Sequence, residues 1–347
     1  MKKTKTIVIA GLILSLAVAS VTVITALSIC KATEKHWAFI PIFAVIGLIG
    51  GYLLHNVLHE TGHCVSAKKC GAVVFEVAFC GFVFKKGAKP KFNFRSGVAG
   101  WTSFIPKNPE KSDYALKKSL SGGLTGSFFS LFIAMILYSV GIFLKNYAVV
   151  SAFGFYGAIN VYLIVLNFFS SAPQTDGRLM NAVDPQEYAE TVSLLEYESY
   201  LLNGISAKNI PELIFDRVEG DKISTVFDVH KSLQEGDPLR AERYVDEIIS
   251  RHRSVDNGLI AIYSEKLFIE IVNRNKDEVD KYFKLIENEI SEPTSLSFIR
   301  TACFYRKFNG EDDWSISLEK RFFSELEKCP LKGLKRQEKE IFELYKF

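Results

Sequence analysis

A polytopic α-helical membrane protein is the fold class the sequence predicts: about four transmembrane helices with a β-rich loop between the second and third, then a C-terminal all-α soluble domain. Three observations predict it. Four apolar runs, roughly 6–29, 37–58, 119–144 and 147–171, each reach the length of about 20 residues that a hydrocarbon core of about 30 Å requires. Charge divides unevenly, with 17 Lys and Arg against 6 Asp and Glu in residues 1–177, and 25 against 33 in residues 178–347. From Asp184 onwards, apolar positions recur at helical spacing on segments that are otherwise polar.

The first run follows a lysine-rich start, MKKTK, and contains Ala17-Val18-Ala19, which also fits the cleavage site of a signal peptide. Its apolar stretch continues to Ile29, past the about 7 to 15 residues of a signal peptide, so a retained span is expected. The loop 67–118 carries 11 Lys and Arg against 3 Asp and Glu, whereas loops 30–36 and 145–146 carry two lysines and one. Basic flanks stay on the cytoplasmic side, so both termini and this loop are expected there. The charges are spread among apolar segments and flank two spans, which reads as a topology determinant and not as a nucleic-acid site.

Within that loop, VVFEVAF (73–79) and GWTSFIP (100–106) have strand character. Either could offer an edge to an extended peptide, or the two could form a hairpin that merely covers its neighbours. The six cysteines, at 30, 64, 70, 80, 303 and 329, form no C-x-x-C pair and mostly face the reducing side, so structural disulfides are not expected. Residues 184–347 read as soluble helices punctuated by Gly, Asp and Asn. Tyr244 and Tyr282, 38 residues apart, hint at tetratricopeptide-like pairs as readily as an irregular bundle would.

The second run ends in HNVLHETGHC, residues 55–64, which places ionisable groups where they are expensive and therefore functional by default. His59-Glu60-Thr61-Gly62-His63 is H-E-x-x-H: on a helix, two imidazoles one turn apart can grip one zinc ion while Glu60 points at a metal-bound water. His55 lies one turn earlier on the same face, as a ligand, a donor to a ligand, or a packed histidine. Zinc needs a third protein ligand. The extended H-E-x-x-H-x-x-G-x-x-H pattern fails at Ser66 and Lys69. A glutamate of the acidic half remains open, and so does Asp176, the only acidic residue between Asp113 and Asp184. Asp176 follows the fourth span on the membrane side of His59 and His63, and Pro173 and Gly177 could break the helix and turn it inward. A turn aspartate before Gly177 is the plain alternative.

These residues resemble the site-2 protease family of intramembrane zinc metalloproteases, peptidase family M50. HETGHCVSAKKCGAVVFEVAFCGF (59–82) is similar to the family's motif helix and the membrane-associated β-rich loop after it. SGGLTGSFFS (121–130) resembles the start of its next core helix, and Asn167 through Gly177 resembles its N…P…D-G motif. The resemblance covers about residues 38–185 and leaves no room for a PDZ-like insertion between the third and fourth spans. It implies His59, His63 and Asp176 as zinc ligands, Glu60 as the catalytic residue and Asn167 as substrate-binding.

The expectation is a zinc metalloprotease domain at 1–183 and a soluble helical domain at 184–347, in a multi-pass cell-membrane protein with its active site towards the cytoplasm. Its substrate is expected to be a membrane-embedded protein or peptide, such as a small precursor peptide, and the helical domain could meet a cytoplasmic partner. The alternative is a catalytically silent membrane scaffold whose helical tail recruits partners; retention of Glu60 speaks for the enzyme.

Overall fold

Long apolar sequence in a bilayer must satisfy its backbone within itself, and the four runs do so as helices. The computed structural model describes residues 2–87, 89–92, 100–169, 175–181, 183–211, 222–251 and 257–346. The four helices are α1 (Lys2–Ala32), α2 (Ile40–Lys69), α3 (Ser112–Phe143) and α4 (Tyr147–Phe169), each long and apolar enough to cross a membrane. The chain divides into two compact units: Met1–Pro106 with Glu110–Tyr188, and Lys107–Pro109 with Ala189–Phe347.

In the first unit, α2 and α3 extend beyond the apolar runs, α2 through the motif to Lys69 and α3 back to Ser112. Apolarity marks where hydrocarbon could surround a helix, whereas hydrogen bonding continues wherever polar residues find partners. Outward positions such as Ile13, Ile24, Ile42, Ile49, Phe132 and Met135 are exposed and apolar, while His55, Asn56, Ser127, Ser130 and Asn160 are buried. α2 and α3 meet backbone to backbone: a Cβ on Gly62 would stand 2.1 Å from the Gly122 carbonyl oxygen. Only small residues permit such contact between helices.

Between α2 and α3 lies an antiparallel sheet of β1 (Ala72–Phe79), β2 (Phe82–Lys85), β3 (Lys91–Phe92) and β4 (Gly100–Pro106), in the order β3-β2-β1-β4. Cys80 and Gly81 join β1 to β2 with φ of 52° and 86°, the pair of positive values that a two-residue hairpin turn needs. The expectation of an edge strand divides here. β1 is flanked on both sides, and β4 pairs with β1 alone among the described strands. Beyond α4, Pro173 lies outside the described residues; α5 (Asp176–Met180) follows.

The second unit contains α6 (Pro185–Leu202) from Ala189 onwards, α7 (Lys222–Gln234), α8 (Pro238–Arg251), α9 (Asn257–Val272), α10 (Lys276–Leu285), α11 (Glu287–Ser291), α12 (Leu296–Phe308), α13 (Asp312–Lys328) and α14 (Lys332–Tyr345). Its core combines Leu233, Val245, Leu267, Phe268 and Phe342 with buried charged groups, among them Arg300, which is fully buried. Arg300 donates to Glu265 at 2.5 Å and Glu338 at 2.8 Å and stacks on Phe268, so both buried carboxylates have a cation. None of the six cysteines forms a disulfide.

Burial pushes the Glu198 carboxyl on α6 up to about 7, from an ordinary 4.5. A carboxyl whose folded pKa is raised contributes stability below its unfolded value and loses it as pH rises through the folded one. Thermal unfolding of the detergent-solubilised chain is therefore expected to show Tm falling between about pH 4.5 and pH 7, and Glu198→Gln to flatten that slope. An unchanged slope in Glu198→Gln would remove Glu198 as its source.

Candidate metal centre

His59 and His63 are one turn apart on α2 and face α3, with their rings 4.6 Å apart and nearly perpendicular. Three α3 residues at helical spacing meet them. His63 Nδ1–H donates to the Ser119 carbonyl at 2.8 Å, and His59 Nδ1–H to the Gly123 carbonyl at 3.1 Å, with the Ser127 hydroxyl 2.9 Å away. A carbonyl only accepts, so each Nδ1 carries a proton, and in the neutral imidazoles that bind a metal each Nε2 then presents its lone pair.

The two Nε2 atoms are 3.1 Å apart, and Asp176 Oδ2 lies 3.2 Å from one and 2.9 Å from the other. Three acceptors thus converge with no proton between them, and Asp176 Oδ2 is buried without a hydrogen-bond partner. A cation placed among them would satisfy all three. Tetrahedral zinc with bonds of about 2.0 to 2.1 Å sets its ligand atoms roughly 3.3 Å apart, so two imidazoles and one carboxylate fit that ion and leave a fourth position open.

Asp176 is placed by close packing at the end of α4. A Cβ on Gly177 would stand 2.4 Å from the Phe168 carbonyl oxygen, and the Asn181 amide donates to the Phe168 carbonyl at 3.1 Å. The Phe168 ring meets His59 edge-on at 5.9 Å. Asn167, expected at a substrate site, sits half-buried in the last turn of α4. Among the described residues, no hydrogen bond joins its side chain to His59, Glu60, His63 or Asp176.

Glu60 is buried beside the three ligand candidates. The Thr102 hydroxyl donates to its Oε2 at 2.7 Å, and β4 passes so close that a Cβ on Gly100 would lie 2.7 Å from its Oε1. His55 is not among the converging groups. Its Nδ1–H donates to Asn160 Oδ1 at 2.8 Å, and the Ser127 hydroxyl donates towards its Nε2 at 3.4 Å. Asn160 in turn donates to the Tyr156 carbonyl at 2.8 Å. Every donor in this buried chain therefore has an acceptor.

His59, Glu60, His63 and Asp176 come together as expected from the sequence, whereas Ser119, Gly123, Ser127, Thr102 and Asn160 were missed. The spacing of 119, 123 and 127 along one face of an apolar helix was the available signal for three of them. Nothing in the sequence pairs Thr102 with Glu60. No family model, no curated protein and no solved structure matches this chain.

A Cβ on Gly123 would stand 2.3 Å from His63 Nε2, whereas one on Gly50 of the same bundle meets nothing within 4 Å. Gly123→Ala is therefore expected to weaken metal binding by about 10- to 100-fold or more in a chelator competition titration, the range seen when groups around metal ligands are disturbed. Gly50→Ala is expected to bind as the unsubstituted chain does, and equal affinities for both variants would place the metal elsewhere.

Proposed function

We propose that this chain is a zinc endopeptidase that works within a membrane, as its resemblance to the site-2 protease family implies. The observation that carries the proposal is the convergence of His59 Nε2, His63 Nε2 and Asp176 Oδ2, none with a proton to share, beside a buried glutamate that is not one of the three. A His-His-carboxylate set also suits ferrous iron, but a glutamate held one residue from a ligand is what a hydrolytic centre requires.

When bound, zinc would act as a Lewis acid on the scissile carbonyl and acidify a water. The remaining work belongs to the protein. His59, His63 and Asp176 would hold the ion, and the Ser119 and Gly123 carbonyls would keep the imidazoles in the ligating tautomer. Glu60 would take the proton of the attacking water and return it to the departing amine. Thr102 would hold the Glu60 carboxylate in place through Oε2 and leave Oε1 for proton transfer.

A peptide bond inside a helix is closed to attack, so a membrane-embedded substrate must unwind first. β4, paired only with β1 among the described strands, would offer its edge to the freed backbone and would deliver it beside Glu60. The setting would be a multi-pass cell-membrane protein with the centre on the cytoplasmic side, and the helices after Asp184 would recruit a partner there.

Metal analysis of the full chain purified in detergent without chelators tests this. The expected result is about one zinc and no iron per chain, with zinc lost in His59→Ala and Asp176→Ala and kept in Glu60→Gln. Glu60→Gln is then expected to retain a substrate that the unsubstituted chain cleaves. A metal-free wild type, or an Asp176→Ala variant that still holds zinc normally, would favour a catalytically silent scaffold.

A further inference from the structure

Trp314, Ser317, Leu318 and Arg321 recur at the i, i+3, i+4 and i+7 spacing that places them along one face of α13. That face, the end of α11 and the connection to α12 border an open cavity of about 490 Å³, within the range of about 300 to 1,000 Å³ that ligand sites occupy. Ile290, Pro293 and Leu318 make one wall apolar, and Trp314, 63% exposed, extends it into solvent. A large aromatic ring beside a cavity offers stacking surface to an apolar group.

Two guanidiniums line this cavity, and they differ in what they already hold. Arg306 donates to Glu311 at 2.7 Å and lies over the Trp314 ring, 5.0 Å from its centre. Arg321 donates to the Pro293 carbonyl at 2.7 Å, which fixes its direction but leaves its charge without a carboxylate among the described residues. A guanidinium carries five N–H donors in a planar fork, so the anchored Arg321 still offers a pair of them to a ligand. One uncompensated positive charge matches one carboxylate. A phosphate dianion fits less well, because Asp313 also lines the cavity and adds a negative charge. Asp313 precedes Arg321 by eight residues, about 12 Å along the helix, so it stands beside the body of a ligand held at Arg321 and not beside its carboxylate.

We propose that this cavity binds the carboxyl-terminal end of a peptide whose last residue is apolar, with the α-carboxylate on the Arg321 fork, the last side chain against Leu318, Pro293 and Ile290, and the preceding residues over Trp314. An extended chain advances about 3.3 to 3.6 Å per residue, so the roughly 10 Å from Arg321 back to Trp314 along α13 takes about three residues. Arginine meets a carboxylate with both branches of its fork, whereas lysine is a point charge that fixes no such geometry. The inference is independent of the candidate metal centre: it needs no bound metal, and its test reads binding and not turnover.

The probe is a dye-labelled pentapeptide ending in Val-Ala-Leu, offered to the full detergent-solubilised chain as the free acid or as the carboxyl-terminal amide, with binding read by fluorescence anisotropy. The acid is expected to bind about 10- to 100-fold more tightly than the amide, the range set by a hydrogen-bonded charge. Arg321→Gln is expected to bring the acid down to the affinity of the amide, and Arg321→Lys to restore only part of the difference. Lys320→Gln, which removes an equal charge from α13 outside the cavity, is expected to keep the full preference. Equal affinities of acid and amide for the unsubstituted chain, including no binding of either, overturn the proposal, and so does a preference for the acid that survives Arg321→Gln. Displacement of the labelled acid by inorganic phosphate as readily as by the unlabelled acid would make this a phosphate site and overturns it as well.

Discussion

Contact between the backbones of α2 and α3 is the constraint on which the candidate centre depends. Gly62 and Gly122 each lie where any side chain would strike the other helix. In apolar surroundings no hydrophobic force draws two helices together, so they associate through close packing and polar contacts. That approach brings the Ser119 and Gly123 carbonyls to the Nδ1 atoms of His63 and His59. With the helices farther apart, the imidazoles would lose both their orientation and their tautomer. The geometry of the candidate centre is a consequence of helix packing.

The same economy governs the polar groups behind the centre. A buried donor or acceptor without a partner costs about 1 to 3 kcal/mol, and an apolar bundle has no water to supply one. The run from the Tyr156 carbonyl through Asn160, His55 and Ser127 to His59 satisfies each group in turn, with every proton assigned by the acceptor at its far end. His55 thus has a structural account that needs no metal, although it sits on the motif's own face.

The buried charges of the two units differ in kind. Glu265 and Glu338 face the guanidinium of Arg300, so each anion has a fixed cation within the chain. Asp176 faces two imidazoles whose protons are committed elsewhere, and its inner oxygen has no hydrogen-bond partner. That contrast sets the Asp176 carboxylate apart from the two that face Arg300.

By itself the sequence determined the four apolar helices and the position of two strands that follow the motif, and it singled out His59, Glu60 and His63 while leaving Asp176 open as the third group. These are local signals: run length, alternation, an i,i+4 pair, and one isolated carboxylate. α2 and α3 run past the apolar stretches, because hydrogen bonding continues wherever polar residues find partners. Only the tertiary structure decided that β4 lies at the sheet edge while β1 lies inside, that Thr102 is the partner of Glu60, and that Phe168 and not Asn167 borders His59. Those facts depend on register and on which glycines allow two backbones to touch, and a one-residue slip, invisible in composition, turns a strand's side chains to its other face.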